Sequence, residues 1–285
     1  MVTVHHQQGG LASANRVILE SRIFNSMNKF ENLCVKFFRC GSNHFHKIQS
    51  APQEYIDRAR DEIVRGHSAA VVPEIICPPK AMFFDMDATV IAEESLVEIA
   101  KVCGKQTQIE NLTNSAMTGV MDFKDSLSQR LMILKGLTRD QVLSINPSIN
   151  LGMTELASWA HDMRIPIFLV SGGFVDLAAP VAQKLGFKDF KANRFAWDGD
   201  IMTGFCDGPM IDGNGKRDAI KAWCQNIHTS PTDCVVVGDG ANDRSMMEIS
   251  GLAVGFSPKK TLWPMLDIAN HTGDHRFLIQ CLNSF

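Results

Sequence analysis

From Lys80 onward, short uninterrupted apolar runs alternate with longer stretches in which apolar side chains recur every three or four positions. Four of the short runs read as strands: Ala81–Phe84, Ile165–Val170, Cys234–Val237 and Leu252–Gly255. Each is apolar or β-branched and ends at a polar or glycine-rich turn. Strands with no polar alternation are buried on both faces. Helical segments between them predict a doubly wound, mostly parallel α/β sheet with helices on both sides. The stretch RFAWDGDIMTGF adds a β-hairpin within that sheet, turning at Asp198-Gly199-Asp200.

The interval from Val90 to about Asn150 breaks this rhythm. It is helical in period, has few β signals and carries a charged surface, as in EESLVEIAKVCG and MDFKDSLSQRLMILKG. It is also far longer than an ordinary crossover between neighbouring strands. Residues 91–150 are therefore expected to form a small helical cap over the strand ends, with 80–90 and 152–285 as the core. Ligands of such sheets bind at the carboxyl ends of the strands, where this cap would act as a lid.

Residues 1–79 form an N-terminal extension of a different kind. The first 49 hold six Lys or Arg, four His and only two acids, Glu20 and Glu31. Leu19, Ile23, Phe30, Leu33 and Phe37 recur at helical spacing, predicting an amphipathic stretch. A basic, acid-poor start of this kind fits an organelle transit peptide, a docking helix, or an over-long start ahead of Met27. The second and third readings together outweigh the first.

Composition narrows the class without choosing a chemistry. At 285 residues, 45% hydrophobic and a net charge of −3, the chain can bury a large core and shows no basic bias toward nucleic acid. No apolar run approaches the ~20 residues that span a bilayer, so no membrane partner is expected. Eight cysteines lie scattered, none in a C-x-x-C pair, and several sit in apolar company. Buried reduced thiols and a reducing, cytoplasmic compartment follow. The sequence leaves monomer and homodimer open.

The chemistry gathers where strands end. In KAMFFDMDATV, Asp85 and Asp87 leave the first strand one residue apart, and Thr89 follows. Two such acids can converge on a hard cation such as Mg²⁺, and a carboxylate held beside it can attack phosphorus. An Asx-turn at Asp87 with a helix starting at Thr89 explains the pattern equally well in isolation. FLVSGGF ends the second strand at Ser171-Gly172-Gly173, a hydroxyl and glycine amides suited to cradle phosphate. GNGKRDAI sets Lys216 just inside a helix, where an ammonium can neutralise a phosphate oxygen. VVVGDGANDRSMM places Asp239, Asn242 and Asp243 on one strand-end loop, and acids so concentrated repel unless a cation lies between them. Each signal is weak alone. Together, in this order, they are what phosphoryl transfer needs: positioning and charge neutralisation.

These four stretches resemble the four motifs of the haloacid dehalogenase superfamily of phosphatases, from Lys80 to about Gly255. DMDATVIAEESLVEIA, AMTGVMDFKDSLSQRL, SGGF and GDGANDRSMM further resemble its phosphoserine phosphatase branch. The resemblance implies Mg²⁺-dependent hydrolysis of O-phosphoserine with Asp85 as nucleophile and Asp87 as general acid and base. It implies Mg²⁺ held by Asp85, the Asp87 carbonyl and Asp239, with Asp243 orienting the set. Ser171, Gly172, Lys216 and Asn242 would bind phosphate. Glu94 would meet the substrate ammonium and Arg130 its carboxylate, with Met117 and Phe123 lining the site. A first-turn helix acid at Glu94 and a surface Arg130 paired with Asp122 or Asp125 are the plainer alternatives. Phosphohomoserine and phosphoethanolamine remain alternative substrates. A phospho-acceptor signalling domain shares the Asp, hydroxyl and Lys but needs neither Asp87 nor a cap. Ala88 stands where the family usually has Ser or Gly, the tail after GLAVGFSP diverges, and residues 1–79 show no βαββαβ pattern.

Overall fold

The computed structural model describes residues 33–38, 45–48, 53–66, 68–73, 78–117 and 121–283. One nine-stranded sheet organises them, in the order β2 (Phe45–Ile48), β1 (Leu33–Phe38), β3 (Ala69–Pro73), β11 (Ile268–Asn270), β10 (Leu252–Phe256), β9 (Val235–Gly238), β4 (Met82–Phe84), β5 (Ile167–Phe174) and β6 (Asp189–Asn193). Six strands form a parallel block: β4 (Met82–Phe84), β5 (Ile167–Phe174), β6 (Asp189–Asn193), β9 (Val235–Gly238), β10 (Leu252–Phe256) and β11 (Ile268–Asn270). The four strands expected from the sequence are all present, displaced by a few residues at their ends.

Both faces of the block are covered, which explains the absence of alternation in its strands. Met82, Phe84, Val235 and Val237 look into one apolar layer with Leu156, Leu177, Val181 and Phe277. Phe83 and Val236 look into the other with Ile220, Trp223 and Met246. Helices α6 (Met153–Asp162), α7 (Val175–Leu185) and α10 (Arg276–Leu282) supply the first layer, and α8 (Gly213–Asn226) and α9 (Arg244–Met247) the second. At β4, Phe83 stacks on Phe168 with ring centroids 5.1 Å apart. The fold is the doubly wound α/β sheet expected, with a helical cap.

The cap interval contributes α2 (Ser95–Val102), α3 (Gln106–Met117), α4 (Phe123–Leu134) and α5 (Arg139–Leu143). Its two connections to the sheet run side by side. Ile91 bridges Ile149, and Asn150 Nδ2 donates to the carbonyls of Thr89 at 2.8 Å and Ile91 at 3.0 Å.

Two expectations need correction. The hairpin β7 (Phe195–Asp198) and β8 (Ile201–Cys206) forms where expected but stands apart as a two-stranded sheet. Its backbone pairs with the α4–α5 connection instead, through Gly136 N to Met202 O (2.9 Å) and Met202 N to Leu137 O (2.8 Å), so it joins the cap layer. Leu33 and Phe37 lie in β1 (Leu33–Phe38), not in a helix, and Leu19, Ile23 and Phe30 fall outside the described residues. A spacing of four keeps one face in a helix and in a strand alike. Most of the basic start, with the transit-peptide reading, also falls outside the described residues. With β2 (Phe45–Ile48), α1 (Gln53–Val64) and β3 (Ala69–Pro73), β1 makes a ββαβ unit. Antiparallel pairing of Ala69 and Ala70 with Ala269 and Ile268 continues the main sheet through it.

Candidate active site

The chain leaves β4 for β5 and β6 on one side, then returns to β9 on the other. A crevice therefore opens beyond the carboxyl end of β4, at the point where strand order reverses. Asp85 is the first residue past β4, and its Oδ1 accepts from the Met86 amide at 2.7 Å. Met86–Val90 then make one wide turn closed by Ile91 N to Met86 O at 3.0 Å. Ala88 sits in the left-handed region at φ +51° to make that turn. The turn, rather than an Asx-turn with a helix starting at Thr89, is what places Asp87. Ser95 Oγ donates to Asp87 Oδ2 at 2.8 Å, while Asp87 Oδ1 is buried with no partner among the described residues.

A chain of ion pairs fixes the floor. Lys216, fully buried at the start of α8, lies 2.7 Å from Asp85 Oδ1 and 2.7 Å from Asp243 Oδ1. Asp243 Oδ2 accepts from the amides of Asp239 (3.0 Å) and Gly240 (3.1 Å). A Cβ at position 238 would collide with the Asp243 carboxylate, so Gly238 permits this approach. With both oxygens engaged, Asp243 is an anchor for Lys216 and the loop. Burial and Asp243 push the Asp85 carboxyl well above the usual range, against Lys216. Burial pulls the Lys216 ammonium down, but Asp243 and Asp85 more than offset it.

Asp85, Asp239 and Asp243 each bring a carboxylate oxygen within 4.8 Å of the others. Three buried acids this close suit a hard divalent cation, which favours carboxylate oxygen and removes the repulsion that raises Asp85. Burial also raises Asp239, although Lys259 Nζ stands 2.8 Å from its Oδ2.

Above this floor is a cavity of about 220 Å³, bounded by Asp85, Asp87, Ser171, Gly172, Asp239 and Asn242 below and by Glu94, Phe123 and Arg130 above. The amide of Gly173 donates to Ser171 Oγ at 2.8 Å, which fixes the hydroxyl. Phe123 packs so closely on Gly172 that a Cβ there would lie 2.9 Å from the ring. Arg130 is buried at 7% exposure, not on the surface. Among the described residues its guanidinium meets only neutral oxygens, Ser126 O and Thr113 Oγ1, each at 3.3 Å. Asp122, the alternative partner, instead caps α4 by accepting from the Lys124 amide. Burial pushes the Glu94 carboxyl up to about 8 and the Asp87 carboxyl up to about 6.

The structure thus gathers eleven of the twelve residues singled out in the sequence around one cavity and the ion-pair floor beneath it. Met117 ends α3, and its side chain lies outside the described residues. Three neighbours were not singled out: Ser95 on Asp87, Thr113 on Arg130, and Lys259 on Asp239. Ser95 follows Glu94 directly and was open to reading as a site hydroxyl. Nothing in the sequence marks Thr113 or Lys259.

Residues 82–248 match the family model of haloacid dehalogenase-like hydrolases. A phosphoserine phosphatase from Albidiferax ferrireducens is 32% identical over 73% of this chain and 95% of its own length. One from Mus musculus is 33% identical over 64% of this chain and 84% of its own. A solved structure of a phospho-aspartyl intermediate analogue of a phosphoserine phosphatase superposes with a TM-score of 0.69 at 29% identity, covering 72% of this chain and 99% of that one. A hydrolase from Salmonella enterica covers 93% of this chain and 97% of its own, with a TM-score of 0.75 at 20% identity, and so shares the fold.

Proposed function

The chain belongs to the haloacid dehalogenase-like hydrolase family, and from that premise we propose that it hydrolyses O-phospho-L-serine to L-serine and phosphate, the closing step of L-serine biosynthesis. The observation that carries this reading is the composition of one cavity: phosphoryl-transfer groups on its floor, and Glu94 and Arg130 opposite them. A phosphorylated amino acid offers an ammonium and a carboxylate at the end remote from phosphorus. A buried guanidinium whose hydrogen bonds among the described residues go to neutral oxygens, with Glu94 and Asp87 acting on it only through longer-range charge, is matched by that carboxylate, bidentately. Phosphoethanolamine has no carboxylate and would leave Arg130 unmatched.

In the proposed mechanism Asp85 attacks phosphorus, forming an aspartyl-phosphate and releasing the serine oxygen. Asp87 gives that oxygen its proton; a pKa near 6 keeps a protonated fraction available close to neutral pH. Asp87 then takes a proton from the water that attacks the aspartyl-phosphate, and phosphate leaves. Lys216, Ser171, the Gly172 amide and Asn242 hold the phosphoryl oxygens. Mg²⁺ fits the donor set, with Asp85, the Asp87 carbonyl and Asp239 to hold it, and when bound would neutralise charge on the phosphoryl group. Asp243 keeps Lys216 and the Asp239 loop in place.

We assign 80–90 and 152–285 to the catalytic core and 91–150 to the cap, whose closure over the cavity excludes water during the first transfer. We propose a cytoplasmic setting, which the burial of Cys224 and Cys234 as thiols in an apolar layer supports. Among the described residues no helix is long and apolar enough to cross a membrane.

Phosphate release from phosphoserine, phosphohomoserine, phosphoethanolamine and an aryl phosphate, with Mg²⁺ present, tests the reading. Phosphoserine should be preferred by at least an order of magnitude in kcat/KM. Preference for phosphoethanolamine would displace it.

A further inference from the structure

Lys259 lies outside the four motifs, yet its ammonium stands inside the charge network they build. It follows β10, after a residue in the left-handed region, Ser257 at φ +44°. Its own amide donates to the Asp239 carbonyl at 2.9 Å, which pins the loop to the site. From there Nζ reaches Asp239 Oδ2 at 2.8 Å and lies 4.0 Å from Glu94 Oε1. Asp239 is 5% exposed and the Lys259 side chain 37%, so the acid is buried while the lysine borders solvent.

Those two acids have different assigned duties. Asp239 is to hold the cation, and Glu94 the substrate ammonium. One lysine touches the first and faces the second. Asp85, Asp239 and Asp243 bring carboxylate oxygens within 4.8 Å of one another, and Asp87 and Glu94 border the same cavity. Burial raises the carboxyl pKa of Asp239 and of Glu94, and the charge of Lys259 opposes that rise at both. A partly exposed ammonium supplies that charge at the place assigned to two cations, Mg²⁺ and the substrate ammonium. Resting on the function proposed above, we infer that Lys259 is a placeholder cation: it neutralises the Asp239–Glu94 edge of the empty site, and Mg²⁺ and the substrate ammonium bind in competition with it.

A competing Lys259 and a purely orienting one shift Mg²⁺ binding in opposite directions. If Lys259 competes, removing its charge makes Mg²⁺ bind more tightly. If it merely holds Asp239 in place, removing it makes Mg²⁺ bind more weakly.

Calorimetric titration of Mg²⁺ into substrate-free protein reads this without any turnover. Lys259→Met and Lys259→Gln should each lower the Mg²⁺ dissociation constant by about 10-fold, a modest value for one like charge in the same cluster. Lys259→Gln keeps a hydrogen-bond donor for Asp239, so the same change in both variants assigns the effect to charge. Lys259→Arg should match wild type. Without Mg²⁺, the two neutral variants should melt below wild type, and added Mg²⁺ should narrow that gap. Unchanged or weaker Mg²⁺ binding by both neutral variants, in a wild type that does bind it, overturns the placeholder and leaves the proposed function standing. A wild type that binds no Mg²⁺ overturns the cofactor assignment and the placeholder with it.

Discussion

At Arg130, burial makes a guanidinium costly unless an anion meets it. Desolvation already lowers its pKa, and the two hydrogen bonds it makes go to neutral oxygens. Truncating one partner of a desolvated charge pair typically costs ~2–5 kcal/mol of binding. Arg130→Ala should therefore cut kcat/KM for phosphoserine by about 10²-fold or more, a factor equivalent to ~2.7 kcal/mol and so within that range. Hydrolysis of an aryl phosphate, which lacks the carboxylate, should stay within a few-fold of wild type. Equal losses on both substrates would make Arg130 a support for the cap rather than a substrate contact. Ala88 raises a different residue-scale question, because its φ of +51° strains any residue with a Cβ. Left-handed backbone costs an L-residue ~1–2 kcal/mol, against ~0.5–1 kcal/mol of chain entropy for glycine. Ala88→Gly should accordingly stabilise the protein by about 0.5–1 kcal/mol in urea unfolding. A destabilised variant would mean that the Ala88 methyl group contributes more through packing than the strain costs.

Among elements, the turn Met86–Val90 has two props drawn from far along the chain. Asn150 Nδ2 donates to the Thr89 carbonyl, and His275 Nε2 lies 2.9 Å from the same oxygen. A carbonyl can only accept, so Nε2 carries the proton and His275 works in its neutral form. Its ring stacks on Phe256 at 4.0 Å, and burial lowers its pKa to about 4. An unfolded histidine titrates near 6.5, so the folded state binds fewer protons between the two values. The stabilisation is complete above pH 6.5 and is lost as pH falls toward 4, an effect of roughly 3 kcal/mol. His275→Gln should flatten thermal stability across pH 4–6.5, and an unchanged slope would assign the acid sensitivity to other groups. Elements of this kind divide by how they show in a sequence. Asp85, Ser171 and Asp239 were legible because each lies in or directly after an apolar run that has to be a strand. Glu94 and Arg130 were legible only through the family resemblance, since helical periodicity does not say which helix faces the strand ends. The hairpin was legible as a hairpin, but its pairing with residues 136–138 is a long-range choice of backbone partner that local pattern leaves open. Lys259 was hidden for the same reason: it acts across two loops separated by 20 residues.

On the scale of the whole molecule, the parallel block does not end at β11 but is carried on by β3, β1 and β2. That continuation was the least legible part of the fold. Leu33 and Phe37 satisfy a helix and a strand equally, and antiparallel pairing to a strand some 200 residues away leaves no local trace. Physically, the ββαβ unit does for β11 what a covering strand does for any exposed edge. It also lays Ile63 and Ala69 against Leu262, Leu266 and Ala269. The residues assigned to catalysis and binding all lie between Asp85 and Lys259, and none sits on β1, β2, β3 or α1. Stability and chemistry should therefore separate on truncation. A chain starting at Ile75 should lose about 2–4 kcal/mol, one or two large apolar side chains' worth of burial. It should also aggregate with rising concentration, because the β11 edge is then unpaired. In dilute solution at low temperature its kcat and KM for phosphoserine should stay within about threefold of the full chain, since a contribution to the barrier of under ~1 kcal/mol is all that a remote, unstrained edge would transmit. Unfolding by urea and steady-state kinetics on the same preparation measure the two halves of this expectation. A truncated protein that stays folded and monomeric yet loses turnover would show that the strands beyond β11 hold the loop carrying Lys259 in register, and would tie the extension to the site itself.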